Sequence, residues 1–187
     1  MAALQALCGR ALFLVLLLAP HACMAASTLQ DKCRGYAAGD QNDYGYCVRT
    51  LQSDRASPTA DARGLAAVAA KVARAAARAT AAKIAALQAA ETAPARRGCL
   101  AGCAKEYRVA ARRLRAAAEA AVSARVAEGL QEAQRRLWQV YGAAQRCDGA
   151  FRAAGQLGSP LTAADRDLDK VIGLALFLLP VRPSPGA

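Results

Sequence analysis

Histidine is almost missing: His21 is the only one in 187 residues. It also lies in a segment that reads as removable. Without imidazole there is no Ser–His or Cys–His nucleophilic pair. A histidine-ligated zinc site is excluded as well. The acidic residues form no cluster in a setting that would tune a catalytic carboxylate. The reading is a non-enzyme with no catalytic, cofactor or metal residues. Strand signals are equally scarce. β-Branched residues are few and no alternating apolar stretch appears, which excludes a sheet protein. Negative charge is short too, with 14 acidic against 25 basic residues and a net charge of +11.

The longest apolar run near the start, "ALFLVLLLA" from Ala11 to Ala19, is too short to span a bilayer. Arg10 precedes it and "PHACMAAS" follows, with small residues suited to cleavage after Ala25 or Ala26. Residues 1–25 therefore read as a secretory signal peptide, with an N-terminal anchor as the competing reading. Its removal takes His21 and Arg10, and leaves five cysteines: Cys33, Cys47, Cys99, Cys103 and Cys147. In an oxidising compartment disulfides are their default state.

Helical signals are abundant. After the Pro58 break, Asp61 is placed to cap a first long segment with Leu65, Val68, Val72, Ala76, Thr80, Ile84 and Leu87 on one face. "ETAPARRG" ends it, with Pro94 as breaker. A second segment runs from about Cys99 to Val122, and a third, unbroken, from about Ala127 to Phe151. The third has the cleanest stripe: Leu130, Ala133, Leu137, Val140, Ala144, Cys147, Phe151. "GQLGSP" is a loop. Thr162 then starts a fourth segment, with Asp165 three residues on in a near capping box, and Pro180 ends it. The expected fold is all-α. An up-down-up-down four-helix bundle (59–180) follows a stapled helical hairpin (26–58), and 181–187 form a disordered tail.

Cysteine spacing supplies the turn that the breaker residues between segments two and three signal poorly. In one continuous helix Cys103 and Cys147 would lie about 66 Å apart. Folding back near Arg125 puts each 22 residues from the apex and face to face. That argues for a Cys103–Cys147 disulfide. Cys99, one turn earlier on the same face, is the competitor; it would sit opposite Phe151 and is ranked as the free thiol. The remaining pair, Cys33–Cys47, encloses a Gly/Asp turn. Closing such a loop gives roughly 3 kcal/mol in the chain-entropy model.

With these elements in place, several motifs carry a resemblance. "YGYCVRTLQSDRASPTADARGLAAVAAKVA" from Tyr44, "LAGCAKEYRVAARRL" (Leu100 to Leu114), "RCDGAF" (Arg146 to Phe151) and "SPLTAADRDL" (Ser159 to Leu168) resemble, in order and spacing, the plant inhibitor family acting on pectin methylesterases and acid invertases. The resemblance covers about residues 29–179. Cys99 lies outside the family's four-cysteine framework. The family implies a secreted stoichiometric protein inhibitor without cofactor, one helical face of which covers the active-site cleft of a carbohydrate-active enzyme. Arg108, Arg112 and Arg115 on the second bundle helix, with Gln131, Glu132 and Arg135 on the third, are the candidate target-binding residues. Arginine suits the carboxylates of such a cleft.

Invertase-directed members resemble one another in a Pro-Lys-Phe segment early in the third bundle helix. Here that place holds Leu130, Gln131 and Glu132. Pectin methylesterase is therefore the expected target and acid invertase the alternative. The apoplast is the expected location, or the vacuole for a vacuolar invertase. Acidic pectate in the wall is a further expected partner. The basic charge also suits a polyanion-binding or membrane-active helical protein. Secretion, the spread of Arg over every helix and the lack of a zinc or helix-turn-helix signature argue against nucleic acid. No stable membrane insertion is expected.

Overall fold

Alanine has the highest helix propensity of any residue, and this chain uses it as its main filler. In the computed structural model, which describes residues 28–156 and 158–180, every long element is a helix. The signal peptide and tail expected from sequence lie outside the described residues. The chain divides into two compact units between Ala62 and Arg63.

The first unit holds α1 (residues 28–37) and α2 (Gln41–Gln52), followed by a 3₁₀ turn at Ser57–Thr59. Ala38 and Gly39 both take positive φ and reverse the chain. The Asp40 carboxylate then accepts from the Asn42 and Asp43 amides, at 2.7 and 3.1 Å, and caps α2. Cys33 and Cys47 are bonded, their Cα atoms 5.5 Å apart. The unit's small core is Leu29, Cys33, Ala37, Cys47 and Leu51. Buried Ser57 donates to the Leu51 carbonyl and ties the 3₁₀ turn to the end of α2.

The second unit contains α3 (Ala62–Ala90), α4 (Pro94–Ala121), α5 (Val126–Val140), α6 (Ala143–Ala153) and α7 (Thr162–Leu178). Pro94 does not merely stop the first segment. It is the first residue of α4, where its missing N–H costs nothing. Glu91 completes that helix start: its carboxylate accepts from the Ala93 amide at 3.0 Å and from Arg96 at 2.9 Å. At the far end, the Arg63 guanidinium donates to the carbonyls of Ala121, at 2.8 Å, and Ser123. A cation on the last carbonyls of α4 satisfies groups the helix leaves open, and fixes α3 antiparallel to α4.

The next turn occupies residues 122–125. Gly129 is buried against it; a Cβ there would lie 2.4 Å from the Ala120 carbonyl oxygen. Absence of a side chain lets α5 start close to the end of α4. The Cys103–Cys147 disulfide, with Cα atoms 5.0 Å apart, joins α4 to α6.

The third bundle segment is not one helix. It breaks at Tyr141 and Gly142, where Gly142 takes φ +85. The unbroken apolar stripe from Leu130 to Phe151 hid the break, because both pieces bury the same face. Leu137 and Val140 are buried in α5, and Ala144, Cys147 and Phe151 in α6. Leu114, Leu137, Phe151, Leu168, Ile172 and Leu174 are fully enclosed. Each such side chain contributes about 1.5–3 kcal/mol of hydrophobic burial. Most core positions of α3 are alanine, which bury less area each.

Candidate functional site

Three surfaces and clusters carry the polar chemistry of the second unit. The first is internal. Tyr107 of α4 is fully buried and donates its hydroxyl to the Asp165 carboxylate of α7. Asp148 of α6 and Asp169 of α7 stand close enough to act on both groups. Asp165 is thus no capping acid. Leu161 takes the cap position, and the Thr162 hydroxyl donates to the Ser159 carbonyl at 3.0 Å. The Thr-x-x-Asp spacing fits a capping box, but burial of Asp165 beside Tyr107 wins.

Burial pushes the Asp165 carboxyl up to about 7, the Tyr107 hydroxyl opposes this, and the neighbouring Asp148 and Asp169 add to the rise. Burial and the bond to Asp165 push Tyr107 far above the usual phenol range. Asp169 is also raised by burial, while the Gly142 backbone and the Gln145 side chain hold it back. One buried oxygen on each of Asp148, Asp165 and Asp169 lacks a hydrogen-bond partner. Around the cluster, Gln145 donates to Asp169 at 2.6 Å and Arg146 to Glu106 at 3.1 Å. These contacts tie α4, α6 and α7 together. Among the described residues no group of three or more His, Cys, Asp or Glu could hold a metal ion.

The second surface is the outer face of α5. Gln131, Arg135 and Trp138 follow one another at helical spacing and are exposed. Glu132 is half-buried, paired with Arg136 at 2.6 Å and with Arg135. Trp138 is 55% exposed and Tyr141, at the helix break, 42%. Their rings meet edge to face with centroids 5.5 Å apart. In the sequence Trp138 follows the stripe residue Leu137, a place that flanks the core and also suits an interface anchor, whereas Tyr141 lies off the stripe. The signal for their pairing was the i, i+3 spacing ahead of Gly142.

The third surface is a groove of about 410 Å³ between α3 and α4. Arg74 and Arg78 line it from α3, and Arg108, Arg112 and Arg115 from α4. The six candidate residues read from sequence therefore fall on two surfaces. Three line this groove and three lie on α5. Arg113, in the same basic run, turns away and donates to the Gln139 carbonyl of α5 at 3.3 Å. Cys99 is buried and unpaired, its thiol 3.5 Å from the Ala150 carbonyl.

A disulfide-tied helical bundle with exposed aromatic and arginine faces offers surfaces suited to binding. The plant invertase/pectin methylesterase inhibitor family model matches residues 25–178, and the chain belongs to that family. It is 34% identical over 136 residues to pectinesterase inhibitor 8 of Oryza sativa subsp. japonica, covering 72% of each chain. The fold matches the crystal structure of a pectin methylesterase inhibitor from Arabidopsis thaliana, with a TM-score of 0.56 and 18% identity. That match covers 84% of this chain and 99% of the other. A mutant form A of a pectin methylesterase inhibitor from Arabidopsis matches with a TM-score of 0.59 and 18% identity, over 75% of this chain and 92% of that one. The protein is an enzyme inhibitor and not an enzyme, and its family implies a protein enzyme as partner. Members of the family are typically secreted. No helix among the described residues is long and apolar enough to cross a membrane.

Proposed function

We propose that this protein inhibits a plant pectin methylesterase in the apoplast, by docking the outer face of α5 over the enzyme's cleft. The relationship to pectinesterase inhibitor 8 carries the choice of target. The missing Pro-Lys-Phe segment at Leu130, Gln131 and Glu132 supports it over acid invertase. On the inhibitor side, Trp138 and Tyr141 are the anchors. They are large, exposed and mutually braced, and tryptophan, tyrosine and arginine dominate the energetics of protein interfaces. Arg135, steadied by Glu132, supplies a charge-assisted donor toward cleft carboxylates. Gln131 continues the face by one turn. Acidic pectate, the polymer of the same compartment, belongs to this reading as a second ligand.

Parallel titration of a plant pectin methylesterase and an acid invertase, at mildly acidic and at neutral pH, tests the target. Stoichiometric loss of esterase activity is expected. Inhibition of neither enzyme, or of invertase alone, would refute the assignment.

A further inference from the structure

The α3–α4 groove is a concentration of positive charge that the fold leaves uncompensated. Arg74 and Arg78 sit at i, i+4 on α3, and Arg108, Arg112 and Arg115 at i, i+4, i+7 on α4. Like charges one helical turn apart destabilise the helices that carry them. Elsewhere several arginines are paired: Arg96 with Glu91, Arg136 with Glu132, Arg146 with Glu106. Among the described residues, the one carboxylate paired with a groove arginine is Glu119, 4.0 Å from Arg115 on an exposed flank.

The shape narrows the ligand class. Two rows of guanidinium groups, each spaced by about one helical turn, flank a floor that includes Ala81 and Ala111. Small methyl side chains leave a trough with an apolar floor between charged sides. A chain of sugar rings has C–H faces to lie on alanine methyls and, when each ring carries a carboxylate, a repeating anion to meet successive arginines. No aromatic side chain lines the trough, so the stacking platform on which single-stranded nucleic acids depend is missing there.

We propose that this groove binds the de-esterified, polyuronate form of pectin and thereby holds the inhibitor where its target has already acted. Removal of a methyl ester turns a neutral ring substituent into a carboxylate. The groove therefore reads the product of the esterase and ignores its substrate. The inhibitor accumulates on pectin in proportion to the demethylation already completed, which limits further reaction at that place. The choice of polyuronate rests on the proposed esterase target; the presence of an anion-binding groove does not.

The test uses the mature protein and size-defined oligogalacturonates, fully de-esterified or fully methyl-esterified, with binding followed by calorimetry at several salt concentrations. The de-esterified oligomer should bind, more weakly as salt rises, and the esterified one should not. The double substitution Arg74→Gln with Arg78→Gln, both on the α3 side, should weaken binding by about tenfold or more. Arg152→Gln with Arg166→Gln removes equal charge from exposed positions on α6 and α7 and should leave binding unchanged. Esterase inhibition is measured separately and should survive both pairs. Equal loss in the two variants, equal binding of the two oligomers, or displacement of the oligomer by single-stranded DNA of matched charge would each overturn the proposal. Retained oligomer binding without esterase inhibition would leave the groove standing and remove the proposed target.

Discussion

Asp165 shows how one buried carboxyl links folding to acidity. Its pKa is raised to about 7 from an ordinary value near 4, with burial the main cause. A raised carboxyl favours the folded state in its protonated form. Its contribution is therefore fully present below about pH 4 and is lost as pH rises through about 7. Asp169, raised in the same direction, reinforces the trend. Melting temperature should fall between mildly acidic and neutral pH, and Asp165→Asn should flatten that slope. A melting series in matched buffers checks it; an unchanged slope in the variant would show that the cluster is not responsible. On the surface, Trp138→Ala should leave the melting temperature nearly unchanged while weakening inhibition by about 2 kcal/mol or more, read as a shift in inhibition constant. The role of Asp165 was not legible in the sequence. Asp165 occupies a capping position by spacing alone, and only the docking of α7 on α4 brings it to Tyr107. Trp138 adjoins a core leucine, and exposure at that point depends on the exact phase of α5.

At the level of elements, periodicity conveyed most of the fold. Apolar stripes at spacings of three and four marked three of the four bundle segments, because burial of one face is what stabilises each helix. The cysteine spacing located the reversal at residues 122–125. The break between α5 and α6 escaped, since a two-residue interruption preserves the stripe. Its local mark was Gly142, the residue suited to positive φ. Gly142→Ala should lower stability by about 1–2 kcal/mol in urea unfolding, from the strained positive φ. Half of the arginine groove was also within reach. Arg74 stands 18 residues before Thr92, and Ala110 stands 18 after it. A hairpin turning there brings Arg74 and Arg78 beside the basic run of α4.

For the molecule as a whole, each unit carries its own disulfide. The Cys103–Cys147 closure spans 44 residues and ties α4 to α6. Replacing both cysteines by alanine should reduce stability by about 4 kcal/mol in the chain-entropy model. Calorimetry of the variant measures this; a loss below about 1 kcal/mol would mean that packing alone closes the hairpin. Family membership and helical architecture were readable at this scale because motif order, cysteine spacing and periodicity all reported the same topology. The charge total, by contrast, could not say where positive potential gathers.

The interruption at Gly142 separates the disulfide-held α6 from α5 within what would otherwise be one rod. On one side, α6 is held by the disulfide, the Arg146–Glu106 pair and the Asp169 contact. On the other, α5 displays the aromatic and arginine face, packs its buried stripe against α4 and meets α6 at the Tyr141–Gly142 break. Changes in the angle or sequence of residues 126–141 need not disturb the covalent frame. Under the proposed docking, a chimera built at that joint should inherit its target preference from the donor of α5, read as which enzyme it inhibits.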